Sequence, residues 1–188
     1  YVVGNEQEYH FNVLFEILKR LNFDTSGIKH IAHGMVDVPE GKLKSREGTK
    51  VDADDFMDKI QVLVKKELNS REKLSKKELE TRSLKIALSA IKHMLLKVDA
   101  KKNMLFNPKE SINFEGDTGP YLLYSYARAN SILKKAKSKK NKNADLNLTK
   151  EEGELAKKIS QFPEIVSKSY SSLNPSLIAN YSCQLAQI

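Results

Sequence analysis

Apolar residues follow two different spacings along the first forty positions of the chain. Tyr1 to Gly4 is a short apolar stretch that predicts the end of a buried strand. Apolar side chains then recur at helical spacing, at Phe11, Leu14, Phe15, Leu18 and Leu21. Positions 22–27 break this pattern, and positions 28–38 predict a second extended segment. The order of strand, amphipathic helix and strand indicates an α/β unit.

Helical spacing dominates the rest of the chain. Asp52 is a capping residue, and the apolar side chains that follow it predict a helix at Phe56, Ile60, Leu63 and Val64. Ser75 and Glu78 have the spacing of a capping box. The helix that they would begin carries an apolar stripe at Leu84, Ala87, Leu88, Ile91, Leu95 and Val98.

Turns and short extended pieces are predicted only for positions 101–117 of the second half. Three further helix starts follow, at Thr118-Gly119-Pro120, at Thr149 with Glu152, and at Asn174 with Pro175. The second half of the chain therefore predicts a helical bundle.

The chain is strongly basic. Its 188 residues carry a net charge of +8, and the pI is near 9.4. This balance favours a polyanionic partner, with nucleic acid ahead of an anionic membrane. Six lysines fall within positions 134–142, which form either a solvated connection or a segment that contacts RNA.

Nothing in the sequence predicts a membrane span or a targeting signal. No apolar run approaches the roughly 20 residues that a spanning helix needs, and no charged leader precedes an apolar core. The single cysteine, Cys183, cannot form an internal disulfide, which suits a reducing compartment. We expect a soluble, cytoplasmic chain that is mature or truncated.

Two histidines and a basic loop form the candidate chemical segment, at positions 30–36 and 41–48. A metal site would need two further ligands, but His10 and His93 lie in helical patterns and Cys183 is distant in sequence, so no metal site is expected. A nucleophile elbow, a Walker loop and a dinucleotide fingerprint are all absent. The basic loop remains as a phosphate-binding candidate.

Positions 114–136, FEGDTGPYLLYSYARANSILKKA, resemble the beginning of the anticodon-binding domain in the arginyl-tRNA synthetase family. The matching residues are Gly116, Thr118, Gly119, Pro120, Tyr121, Tyr124, Arg128, Ser131, Ile132 and Leu133. Positions 177–188 resemble a later helix of the same domain.

The front of the chain resembles the catalytic domain of the same family. Positions 1–23 are similar to a late Rossmann strand and helix, and positions 29–51 to the adenine-binding strand and the class I signature loop KMSKS. The tetrapeptide His30 to His33 imitates the other class I signature, HIGH. By this resemblance it belongs to the adenine-binding strand, so the chain holds half of a nucleotide site.

The resemblance implies specific roles for these residues. Catalytic cations would be Lys42, Lys44 and Arg46, although Ser45 stands where the strict motif has its second lysine. Binding roles are implied at His33, Gly34, Met35, Val36 and Ser45 for ATP, at Gln7 for arginine, and at Tyr121, Tyr124 and Arg128 for tRNA. Each group also has an alternative interpretation. Positions 34–36 could be a bulged core strand, and the basic loop an ordinary charged surface loop. The aromatic side chains of the helices could belong to the core.

The implied fold class is an α/β remnant, the end of a Rossmann-type catalytic domain, followed by a mostly α-helical bundle. The expected units are a catalytic part (1–74), a connecting helical segment (75–114) and a truncated anticodon-binding domain (115–188). The implied function is that of an arginine–tRNA ligase. Its substrates would be L-arginine and ATP, which Mg²⁺ accompanies, and its macromolecular partner would be tRNA(Arg). We expect a monomer without membrane contact, inactive as this chain alone. A non-catalytic tRNA-binding fragment or paralogue is the alternative.

Overall fold

The computed structural model describes residues 1–38, 41–42, 53–136 and 147–188. Its strands are β1 (Val2–Gly4), β2 (Ile31–His33), β3 (Val36–Val38), β4 (Gly41–Lys42) and β5 (Met104–Leu105). Its helices are α1 (Glu8–Arg20), α2 (Ala53–Arg71), α3 (Lys76–Leu96), α4 (Pro108–Ser111), α5 (Gly119–Ala136), α6 (Lys150–Ser160), α7 (Phe162–Ser172) and α8 (Ser176–Gln187). A 3₁₀ turn, Asn5–Gln7, joins β1 to α1.

The first unit is a pair of parallel strands connected through α1. β1 and β2 pair in register from Val2 opposite Ile31 to Gly4 opposite His33. The ring of Phe11 on α1 stacks on the ring of His30, with centroids 4.3 Å apart, and so fixes the helix to the sheet. The predicted order of strand, helix and strand is confirmed.

The extended segment predicted at positions 28–38 is divided into two strands of different sheets. β2 pairs with β1, whereas β3 is the central strand of a small sheet with the order β4-β3-β5. The division falls at Gly34, whose amide donates to the carbonyl of Ala100 at 2.6 Å. A side-chain carbon at this position would lie 2.2 Å from the carbonyl oxygen of Lys102. Glycine is therefore required here, because a backbone distant in sequence passes directly against it.

The hydrophobic core lies between α2, α3 and the segment that follows β5. Its buried members are Ile60, Val64, Leu68, Ala87, Met94 and Phe106. Phe56 and Phe106 meet edge to face at the centre, with ring centroids 4.8 Å apart. The helix predicted around Phe56 and Ile60 thus contributes the expected face.

The buried face of α3 is rotated away from the predicted stripe. Ala87 is buried as expected, but Leu84 and Leu95 are 42% and 39% exposed. The buried positions include Ser83 and Ala90, because α3 contacts α2 on one side and α5 on the other. Small side chains allow both helices to approach. The predicted stripe is therefore right at Ala87 and Ile91, which contact the core, and wrong at Leu84 and Leu95.

Local capping follows the sequence closely. Ser75 begins α3 with a complete capping box to Glu78, and Thr149 begins α6 with a complete capping box to Glu152. The side chain of Asn174 accepts a hydrogen bond from the amide of Ser176 at 3.1 Å, at the beginning of α8. The predicted helix starts at these positions are confirmed.

The apolar face of α1 is largely uncovered by the residues that the structure describes. Val13, Leu14 and Ile17 are 40%, 44% and 49% exposed, and no residue of α1 is buried. The helix pattern is thus present without a packing partner for its whole face. Within the described ranges, no helix is both long and apolar enough to cross a membrane.

Candidate functional site

The carboxyl ends of β1 and β2 lie side by side. Because Gly4 is opposite His33 in a parallel pair, the turn that holds Gln7 and the segment after His33 leave the sheet at the same edge. In parallel α/β sheets this edge is where ligands bind. Gln7 and His33 are both exposed there, so the structure brings the predicted arginine and ATP contacts to one edge.

Asn103 joins the two segments at this edge. Its Oδ1 accepts a hydrogen bond from the amide of Met35 at 2.8 Å, and the Nδ2 of Asn5 donates to the same oxygen at 3.5 Å. Sequence reasoning missed Asn103 because it lies 68 residues from Met35. Its position in a turn just before β5 was the only local signal.

Positions 34–36 are held by hydrogen bonds to the segment at positions 100–104. Gly34 is buried, while Met35 and Val36 are half-buried. The amide of Met35 is used by Asn103, and the amide of Met104 donates to the carbonyl of Met35 at 2.9 Å. Both polar backbone groups of Met35 thus help to position the segment.

The two histidines of the tetrapeptide have different surroundings. Besides stacking on Phe11, His30 places Nε2 3.2 Å from the carbonyl oxygen of Val3, so it packs within the first unit. His33 is exposed, with Nδ1 3.2 Å from the carbonyl oxygen of Gly34. Only His33 faces the edge where Gln7 also lies.

The basic loop is described only at its beginning. β4 runs antiparallel to β3, with Lys42 opposite Asp37, so the loop starts beside the strand that continues from Met35. Lys44, Ser45 and Arg46 lie outside the described residues, as does the predicted cap Asp52. Of the loop, the structure thus places only the backbone of Gly41 and Lys42 beside β3.

The predicted tRNA-contacting side chains on α5 divide into two kinds. Tyr121 is half-buried, and its hydroxyl donates to the carbonyl of Ala186 at 3.0 Å, so it ties α5 to α8. Tyr124 is 49% exposed, and the guanidinium of Arg128 lies 5.5 Å from the centre of its ring. Tyr124 and Arg128 therefore form a cation–π pair on the surface of α5.

A polar junction links α3 to the helices that follow Asp117. His93 Nε2 lies 2.8 Å from Asp117 Oδ1 and 3.4 Å from Cys183 Sγ. Burial raises the pKa of the Cys183 thiol to about 12. Burial also opposes ionisation of Asp117, but hydrogen bonds from Cys183 and His93 outweigh it and hold the pKa of that carboxyl below its usual value. None of these residues is at the edge formed by Gly4 and His33.

Two family models match this chain in sequence order. Positions 1–108 match the model described as tRNA synthetases class I (R), catalytic domain, and positions 122–188 match the DALR anticodon binding domain. The catalytic-domain model alone covers more than half of the chain.

Curated relatives are similar along the whole chain. The arginine–tRNA ligase of Flavobacterium psychrophilum is 46% identical over 191 residues, and the match covers 100% of this chain and 32% of that protein. The arginine–tRNA ligase of Treponema denticola is 47% identical over 198 residues, covering 100% of this chain and 33% of that protein. The chain therefore spans about a third of the length of these relatives.

A solved structure shows the same fold. The Thermus thermophilus arginyl-tRNA synthetase superposes with a TM-score of 0.82 at 26% identity, over 99% of this chain and 31% of that chain. The predicted fold class, a catalytic α/β remnant followed by a helical bundle, is confirmed. The roles of individual site residues stay predictions, since a family match does not show what each side chain contacts. By its sequence, its fold and the order of its two domains, the chain belongs to the class I tRNA synthetase family for arginine.

Proposed function

We propose that this chain is the part of an arginine–tRNA ligase that completes the adenylate-forming site and begins the tRNA-binding region. The observation that most directly supports this proposal is that the catalytic-domain match and the anticodon-binding-domain match follow each other in one chain. The reaction is attack of the arginine carboxylate on the α-phosphate of ATP, with release of pyrophosphate. The arginyl group is then transferred to the terminal ribose of tRNA(Arg).

Cations of the basic loop supply the electrostatic part of this chemistry. Lys42, Lys44 and Arg46 meet the negative charge that develops on the triphosphate, and Mg²⁺ arrives with ATP. Support comes from β4, which starts the loop directly beside β3. Ser45 replaces the second lysine of the strict motif, so Lys44 is the residue on which this proposal depends most.

The strand edge supplies the binding of ATP and arginine. The thioether of Met35 packs on the adenine face, with His33, Gly34 and Val36 beside it. Ser45 is a further proposed contact for ATP. Gln7 holds the substrate arginine from the neighbouring strand end. The shared edge of β1 and β2, tied by Asn103, supports this arrangement.

The helical half supplies the tRNA contacts. Tyr124 and Arg128 stack on unpaired bases of tRNA(Arg), and Tyr121 keeps α5 in place against α8. We assign the catalytic part to positions 1–74, the connecting segment to 75–114 and the anticodon-binding part to 115–188. The proposed protein is a monomer in the cytoplasm.

Arginine-dependent ATP–pyrophosphate exchange, with tRNA present, tests the function. The protein assayed contains this chain together with the remaining two thirds of the family's length. Lys44→Ala should lower the exchange rate by about 10 to 1,000-fold with little change in the KM for arginine, because a preorganised cation acts on transition-state charge. Lys19→Ala, which removes an exposed lysine of α1, is the matched control and should stay within about twofold.

Two outcomes would reject parts of the proposal. Binding of tRNA(Arg) without any exchange would establish the non-catalytic alternative. If the exchange rate of Lys44→Ala stays within about twofold of the parent rate, Lys42 or Arg46 supplies the catalytic charge instead. The 188-residue chain alone serves as a negative control, because the HIGH element of the family lies outside it.

A further inference from the structure

Three side chains with metal-binding atoms meet at the polar junction. His93 comes from α3, Asp117 from the loop before α5, and Cys183 from α8. One ligand atom from each lies within 4.8 Å of the other two. The residues His93 and Cys183 are only 5% and 4% exposed, so two of the three atoms are held inside the fold. The described residues contain no other group of this kind.

The donor atoms have the chemistry of a zinc site. An imidazole nitrogen, a thiolate and a carboxylate are the ligand types that Zn²⁺ combines in proteins, with bonds of about 2.0 to 2.3 Å. Tetrahedral angles between such bonds separate the ligand atoms by about 3.3 to 3.6 Å. The distance of 3.4 Å between Cys183 Sγ and His93 Nε2 already matches this spacing.

The distance between Asp117 and His93 is shorter than a zinc site needs. Asp117 Oδ1 is 2.8 Å from His93 Nε2, which is a hydrogen-bond distance, so it would shift outward by about half an ångström. The side chain of Asp117 is 42% exposed and lies on a loop. It therefore has room to move and leaves an open side for a fourth ligand such as water.

The charges around the junction tolerate a divalent ion. Lys97 Nζ lies 3.7 Å from Asp117 Oδ2 and would repel an approaching cation. The same ammonium lies 3.9 Å from Glu110 Oε1, so it keeps an acidic partner if Asp117 turns toward a metal. The thiol of Cys183 would release its proton to solvent as the metal–sulfur bond forms.

We propose that His93, Asp117 and Cys183 form a binding site for a zinc-like divalent metal ion. The ion joins α3 to α8 and to the loop that begins α5, and so fixes the helical bundle to the connecting helix. Its role is structural. The site is separate from the adenylate-forming edge, so it stands or falls independently of the ligase proposal.

Cobalt titration tests the site directly. The protein that carries this chain is stripped of metal with a chelator and titrated with Co²⁺. The visible bands of tetrahedral cobalt and the near-ultraviolet band of a cobalt–thiolate bond are recorded. Both should appear, and Cys183→Ser should abolish the thiolate band. His93→Gln should weaken Co²⁺ binding by more than about 100-fold, since even the loss of outer partners costs about 10 to 100-fold.

Controls separate the loss of a metal ligand from misfolding. His10→Gln and Glu115→Gln change an exposed histidine and an exposed acid outside the junction and should keep the parent titration. Circular dichroism confirms that each variant retains its helices, and Asp117→Asn provides a second ligand variant of similar shape. A folded parent without a thiolate band, or a band that persists in Cys183→Ser, would overturn the proposal and leave the junction as a metal-free hydrogen-bond network.

Discussion

Replacing Gly34 with alanine would place a methyl group against the backbone of Lys102. The new carbon would lie 2.2 Å from the carbonyl oxygen of Lys102 and 2.6 Å from the amide nitrogen of Asn103. Ordinary contact begins near 3.4 Å, so the two backbones would separate by about 1.2 Å. That shift breaks the hydrogen bond from Gly34 to Ala100 and the one from Met35 to Asn103.

The magnitude follows from these two broken hydrogen bonds and from the steric clash. Two hydrogen bonds at about 1 kcal/mol each and an overpacking cost of about 1 to 3 kcal/mol predict a decrease of about 3 to 5 kcal/mol in unfolding free energy. Displacement of Met35 should also raise the KM for ATP by about tenfold, equivalent to about 1.4 kcal/mol of binding free energy.

Urea denaturation followed by circular dichroism measures the stability change, and pyrophosphate exchange at varied ATP measures the KM. Gly27→Ala is the matched control, because within the described part of the chain no atom outside Gly27 and its two chain neighbours would lie within 4 Å of the added carbon. It should change the unfolding free energy by less than about 0.5 kcal/mol. A Gly34→Ala variant as stable as the Gly27→Ala variant would refute the reasoning about close backbone approach.

Three further predictions concern the cap of α3 and the RNA surface. Ser75→Ala should lower the unfolding free energy by about 0.5 to 2 kcal/mol in a urea melt, because α3 loses its capping box. Hydrogen bonds from Ser75 hold the pKa of Glu78 below its usual value, so this cap should stabilise the fold above the ordinary carboxyl pKa and weaken as pH falls through the lowered one. In binding assays at several salt concentrations, glutamine in place of the lysines at 134–142 should weaken the binding of all tRNAs equally and flatten the salt dependence. Tyr124→Ala should instead reduce discrimination of tRNA(Arg), whereas Tyr170→Ala, at an 81% exposed tyrosine of α7, should not.

Local features of the sequence proved reliable where the interaction partners are near neighbours. Ser75 and Thr149 each bond a residue three positions later, so a short window contains both partners of the cap. The same holds for α1, whose apolar spacing repeats within a few turns. Such elements can be predicted because the interactions that define them lie within one helix.

The buried face of a helix and the break between two strands were less predictable, because segments distant in sequence determine them. The buried side of α3 depends on α2 and α5 together, which favours Ser83 and Ala90 over Leu84. The break at Gly34 depends on the backbone at Lys102. A pattern within one segment contains neither contact. Periodicity alone therefore predicted the buried face of α3 only in part, and it predicted one continuous strand where there are two.

The candidate site shows the same division. Family motifs predicted Gln7, His33 and positions 34–36 as site residues, and the parallel pairing of β1 with β2 brings their segments to one edge. Asn103 carries no motif and emerged only from its hydrogen bond to Met35. The contacts of Lys44 and Arg46 fall outside the described residues and stay predictions.

By itself, the sequence determined the family, the order of the two domains and most helix starts, since these depend on motifs and on partners a few residues apart. Only the tertiary structure decided that His93 and Cys183, 90 residues apart, lie 3.4 Å from each other. The sequence analysis set both residues aside as metal ligands, because His93 lies in a helical pattern and Cys183 is distant in sequence from the candidate histidines. Residues far apart in the chain can be close in space once helices pack. Here α3 and α8 lie side by side and bring together side chains that no linear pattern connects.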